Sequence, residues 1–320
     1  MSDASSHTPF TPAQQKLLNA SILISGEAAT GKDAAFIARQ LVQATLPHKN
    51  PGDVPLWKRT NGNVTLAIQA GMNIKTGKSY GYPYGTIPRL LLFWMTSEAV
   101  KTKSRRLELG HSLSSFMAEI GLNPNNGGTG AKRSDARRLR DQIEKLFRAR
   151  ISFETSFEQD GRAGEARRDM LVAENSVLWW DMKNPDQATL WGSWIELGEK
   201  FHSAITAAAV PLDVRAIKAL KRSALALDLY AWLIYEAYRA NKNGKGRFET
   251  WEQLHSHFGG EYAEVRNFRL KANAALRKIR MVYPGLKLGK KQGGIEILPE
   301  SLTALQPRQA VTIEAKSKVL

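Results

Sequence analysis

The sequence contains no cysteine. That excludes disulfides, thiolate-ligated zinc and thiol catalysis, and it suits a reducing, cytoplasmic setting. It also has no apolar run long enough to span a bilayer. The longest apolar stretch, residues 223–238, carries Asp228 and Glu236 and reads as a buried helix, so no membrane partner is expected. The first twenty residues are polar and mixed, which is not the pattern of a secretory signal. Histidine is scarce: His7, His48, His111, His202, His255 and His257 show no metal-ligand spacing. No paired-carboxylate or Ser-His-Asp arrangement is discernible, so the reading is of a non-enzyme without cofactor or metal.

Acidic residues are also in short supply. Against 30 Asp+Glu stand 46 Lys+Arg, a formal charge of +16 over 320 residues. Such a surplus attracts polyanions, with nucleic acid first among them. Apolar residues make up 42%, enough for globular cores. The length and the punctuation by Gly and Pro suggest an N-terminal extension, partly disordered, over 1–55, domains over 56–208 and 209–305, and a flexible tail over 306–320.

Along the chain, Lys32–Leu46 has helical character and residues 63–70 are β-like. A long helix is expected from Arg89 to about Lys103. A short strand follows at 105–109, then a helix capped by Ser112 and ended by Gly121, then a helix from about Lys132 to Arg150. Two strand-like runs, 151–158 and 170–180, flank the basic stretch 160–168, which reads as the loop of a hairpin. The second half repeats this order. A helix spans about Val214 to Ala240, and a short one begins at Thr250 with Gln253 at capping-box spacing. A third spans about Glu261 to Val282, before a hairpin at 286–298. Ser112, Leu113, Phe116, Ile120 and Gly121 overlay Thr250, Trp251, Leu254, Phe258 and Gly259 without gaps. Helix, short helix, long helix, hairpin is the order of a winged helix. The expected fold class is therefore α+β and mostly helical, with two tandem winged-helix domains.

The basic residues follow the same repeat. On the first long helix, Arg133, Arg137, Arg140 and Arg148 fall within an arc of about 80° beside the apolar face of Ala136, Leu139, Ile143, Leu146 and Phe147. On the second, Arg266, Arg269, Asn273, Arg277 and Arg280 occupy a similar arc beside Val265, Phe268, Ala272, Ala275, Leu276 and Ile279. The hairpin turns add Arg162, Arg167 and Arg168, and Lys287, Lys290 and Lys291. A helix fits the DNA major groove, where Arg can pair with guanine and Asn with adenine. Wing cations suit flanking phosphates. RNA is less suited, because its major groove is too narrow to read.

Three other patterns invite chemistry and fall short. Residues 26–33 (GEAATGKD) have the spacing of a phosphate-binding loop around Lys32, but Asp33 stands where Ser or Thr should bind magnesium. His255 and His257 resemble the paired histidines of nicking enzymes, but on a helix i and i+2 point apart, and Tyr262 begins the next helix. Trp179, Trp180, Trp191 and Trp194 could stack on bases, although such aromatic-rich strands more often belong to a core.

Residues 80–122 (YGYPYGTIPRLLLFWMTSEAVKTKSRRLELGHSLSSFMAEIGL) and 127–154 (GGTGAKRSDARRLRDQIEKLFRARISFE) resemble the plasmid-encoded RepA family of replication initiators. Residues 45–52 and 57–68 are similar to its upstream segments, so the resemblance covers roughly 32–300. It implies a bacterial plasmid- or nucleoid-associated initiator with two winged helices that bind repeated double-stranded origin sequences (iterons). It further implies melting of an adjacent A+T-rich region, recruitment of the host initiator and helicase, and homodimerisation that represses its own gene. No catalytic residue is implied. A transcriptional repressor built from the same domains is the alternative, with an ATPase or a nickase behind it.

Overall fold

The computed structural model describes residues 11–124, 134–159, 162–180, 187 and 192–302. The expectations for residues 1–10, for the tail over 306–320, for Arg133 and for Trp191 lie outside the described residues.

Helix α1 (Pro12–Gly26) opens on a capping box between Thr11 and Gln14. Residues 34–46, expected as helix, instead form strand β1 (Ala34–Ala38) followed by a single short helix, α2 (Arg39–Gln43). Alanine favours helix locally. Here antiparallel pairing with β9, from Ala34↔Asp213 to Ala38↔Ala209, overrides that preference and buries Ala34, Ala35, Ile37 and Ala38. Strands β2 (Trp57–Asn61) and β3 (Val64–Gln69) precede α3 (Thr86–Thr102), which is buried along most of its length.

From α3 the chain runs through β4 (Arg106–Gly110), α4 (Leu113–Glu119) and α5 (Asp135–Phe147). Strands β5 (Arg150–Gln159), β6 (Arg162–Leu171), β7 (Ala173–Val177) and β8 (Ser193–Leu197) follow. Helix α6 (Glu199–Ala207) and strand β9 (Ala209–Asp213) lead to the second half. The single helix expected over 214–240 is two: α7 (Val214–Leu220) and α8 (Ala224–Asn243). Ser223 is the break, its hydroxyl accepting from Ala226 N, which makes it a cap. Strand β10 (Arg247–Thr250), α9 (Trp251–Phe258), α10 (Val265–Val282) and β11 (Gly294–Ile297) complete the order.

The result is a helix-rich α+β protein with open sheets ordered β2-β3-β5-β6, β4-β8-β7, β1-β9 and β10-β11. The repeat read from the sequence is present as a repeat of structure. In α3-β4-α4-α5 and again in α8-β10-α9-α10, a short strand sits between the first two helices. It then pairs with a strand that arrives after the third, β4 with β8 and β10 with β11. Ser112 and Thr250 cap α4 and α9 by accepting from Ser115 N and Gln253 N.

One apolar core runs continuously through both repeats, and a buried polar hub crosses the same boundary. Arg89 of α3 forms a two-pronged ion pair with Asp228 of α8, both contacts 2.7 Å, and also donates to the carbonyls of Leu46, Pro47 and Gly85. His48 meets Asp228 through Nε2 at 2.7 Å and donates its backbone N–H to Glu261. Arg59 of β2 reaches Glu261 at 2.9 Å and Thr45 at 2.6 Å. Burial alone would push the Asp228 carboxyl up. The Arg89 guanidinium and His48 outweigh it and hold the group well below the ordinary carboxylate range. Glu261, expected at the start of α10, is thus an anchor ahead of that helix and not its first turn.

Candidate nucleic-acid interface

Helix α5 starts where Ser134 accepts from Arg137 N, and Asp135 in its first turn suits the positive end of the helix dipole. Its apolar stripe of Leu139, Ile143, Leu146 and Phe147 is buried. Arg137, Arg140 and Arg148 are all exposed. Arg148 is less free than its neighbours. It pairs with Glu144 at 3.6 Å and lies 6.0 Å from the Tyr80 ring. Arg137 and Arg140 form no ion pair with another described residue.

Helix α10 repeats this arrangement. Phe268, Ala272, Ala275, Leu276 and Ile279 are buried, while Arg266, Arg269, Arg277 and Arg280 are exposed and Asn273 is half-buried. None of these four arginines is ion-paired among the described residues. Arg269 lies 5.6 Å over the ring of Trp251, which restrains its guanidinium from below. Sequence reasoning passed over Leu270, 62% exposed in the midst of this stripe. Its signal was an apolar residue off the helix's buried face.

The first wing differs from expectation. The basic stretch 162–168 is not a loop: it belongs to β6, joined to β5 through residues 160–161, with Gln159↔Arg162 the last pair. Residues 170–180 do not form one strand either, since β7 joins a separate sheet. Arg167 and Arg168 therefore point to opposite faces, and Arg167 is held by Asp169 at 3.0 Å. Beyond the β3 partner at Thr155, the hairpin continues as a two-stranded arm ending near Arg162. The second expected hairpin closes by a Leu288↔Ile297 bridge. Lys287, Lys290 and Lys291 are exposed, with Lys291 4.1 Å from the Phe248 ring.

The competing motifs take other roles. Residues 21–25 are helical, and Gly31–Asp33 form a single tight turn. Asp33 accepts from the Thr30 N–H and hydroxyl there, so these donors of the turn are taken by a carboxylate of the chain itself. His255 contacts the Tyr262 carbonyl at 2.8 Å, and the buried His257 contacts that of Val42 at 3.1 Å. No group of His, Asp and Glu suited to a metal occurs among the described residues. Trp180 is buried, stacked on Phe116, whereas Trp179 is 52% exposed and Trp194 lies beneath Arg106. No described helix is long and apolar enough to cross a membrane.

His257 sets a pH dependence of stability. Burial, reinforced by Arg59, holds its imidazole neutral down to about 3, whereas the unfolded chain protonates near 6.5. Its contribution is therefore complete above pH 6.5 and falls on acidification, by about 2 kcal/mol at pH 5. Glu261, which burial raises and His48 and Arg59 lower to about 2, adds its own loss below about pH 4.5. Urea midpoints measured from pH 7.5 to 4.5 should fall steadily, and His257→Gln should flatten the upper part. A flat wild-type curve would show that His257 is not held neutral.

A family model described as plasmid-encoded RepA protein matches residues 82–253, more than half of the chain. The chain belongs to the plasmid-encoded RepA protein family. It is thus a plasmid replication initiator in general terms, in a family of DNA-binding proteins and not enzymes. No curated protein and no solved structure matches it. Within this RepA-family chain the matched span contains α5 and the β5–β6 arm but stops short of α10, so the second arginine stripe stands on geometry alone.

Proposed function

We propose that this RepA-family protein initiates plasmid replication by gripping directly repeated origin sequences with two winged-helix units. Helices α5 and α10 would enter successive major grooves, and the β5–β6 arm and the 287–291 turn would lie on flanking phosphates. The observation that carries this reading is the repetition itself. On the third helix of each unit, exposed arginines lie beside the buried stripe, and Arg137, Arg140, Arg266, Arg269, Arg277 and Arg280 have no acidic partner among the described residues. A solvated basic surface has no reason to recur at one rotation on the same helix of both units. Opening of the origin, recruitment of host replication proteins, and dimeric repression of the gene belong to this proposal as consequences of family membership.

The test is replication. A plasmid carrying only the gene and its flanking DNA should establish itself in a suitable host, and the purified protein should shift that DNA selectively. Log affinity should fall with log salt at a slope of about −0.9 per phosphate contact. Selective binding without replication would favour the repressor reading.

A further inference from the structure

Between β3 and α3 the chain makes a small hairpin that no part of the proposed grip uses. Met72 bridges Ser79, Asn73 N donates to Lys78 O, and Gly77 N donates to Asn73 O, both at 2.8 Å. The Asn73 side chain accepts from Lys75 N and Thr76 N, and Gly77 takes the positive φ of +66 that the turn requires. The tip is therefore pinned. What it presents is unusual for a pinned tip: Ile74 is 98% exposed, and Lys75 and Lys78, which follow it on the same turn, are exposed too. No acidic residue occurs from Gly71 to Tyr80.

The base of this hairpin is fixed to the end of α5. A Cβ at Gly71 would lie 2.4 Å from both Cβ and the carbonyl oxygen of Arg148, so only glycine permits the contact. Nearby, Tyr80 lies under Arg148 and Tyr84 under Lys145, and Tyr84 N donates to Gln142. Ile74 is three residues from Gly71, at most about 10 Å of extended chain. The tip is therefore within about 10 Å of chain from Arg148, the last arginine of the α5 stripe.

We infer that the 72–79 tip enters the minor groove beside the α5 site, with Lys75 and Lys78 on the two phosphate strands and Ile74 as a wedge at a base step. This rests on the reading of α5 as a DNA-entering helix. Apolar side chains inserted from the minor groove unstack a step and kink the duplex, most readily at pyrimidine–purine steps. The same protein surface that locates the repeat would thereby begin to distort it.

Permanganate probing of thymines, with fluorescence from 2-aminopurine placed along a duplex taken from the gene's flanking DNA, tests this. The full-length protein should produce one hyperreactive, unstacked step beside the α5 footprint. Ile74→Ala should abolish that signal while changing affinity less than about threefold, and thermal unfolding should not change, because the side chain touches almost nothing. Lys75→Ala with Lys78→Ala should flatten the salt slope by about 2. Unstacking by Ile74→Ala equal to wild type overturns the wedge and leaves the α5 reading intact. Absence of selective binding by the wild type overturns both. A variant that alters self-association in sedimentation, with DNA distortion unchanged, overturns the wedge in favour of a contact between copies.

Discussion

Replacing Asp228 with alanine is expected to destabilise the protein by about 3–5 kcal/mol, the usual consequence of leaving one partner of a buried ion pair without the other. Arg89 would remain 3% exposed with its guanidinium facing carbonyl oxygens alone, and His48 would lose its acceptor. The expected effect is large because the pair has no solvent to fall back on. Replacing both partners, as Arg89→Met with Asp228→Leu, should recover much of the loss, since apolar pairs of similar volume often substitute for buried ion pairs. Urea denaturation with the slope held constant measures both. Asp228→Ala costing under 1 kcal/mol would mean that the hub does not hold the two repeats together.

The second large effect concerns recognition and not folding. Arg266→Ala combined with Arg269→Ala should cost about 2–6 kcal/mol of selective binding, a loss of at least ~30-fold, at about 1–3 kcal/mol per base-reading contact. Both side chains are exposed, and only the Arg269–Trp251 stacking is lost, about 0.5–1 kcal/mol at such a site. Stability should therefore change little. Arg162→Ala on the arm should behave differently, weakening all DNA alike and reducing the salt slope by about one contact. A gel-shift series on specific and scrambled duplexes separates these outcomes. Equal losses on both duplexes for the α10 variant would demote its arginines to phosphate contacts.

The helices that carry the proposed interface were legible because burial repeats every 3.6 residues and a stripe of one charge beside a stripe of apolar residues survives in one dimension. The caps at Ser112 and Thr250 were legible for the same local reason. The arm was not. In β6 the Gly, Ala and Arg residues leave little hydrophobic alternation, because most of that strand faces water on both sides, and such composition looks like a loop. The alanine-rich β1 was lost to helix propensity, and its partner β9 lies some 175 residues away. The hub depends on still longer range: His48 and Asp228 are separated by 180 residues. Its signal was nevertheless present, as Arg89 and Asp228 are charges of opposite sign, each set within a run of apolar residues in its helix. The 72–79 tip left no periodic trace at all. Only the exposure of Ile74 distinguishes it.

The absence of native cysteine makes the most direct test simple. Single Arg140→Cys and Arg269→Cys variants, each carrying a tethered iron chelate, can be bound to DNA flanking the gene and the strand cuts mapped. Two grips on one repeat predict two cleavage centres on the same face, separated by about one helical turn, 10–10.5 bp. Cleavage from only one of the two positions, or cuts scattered without relation to any repeat, would contradict the account.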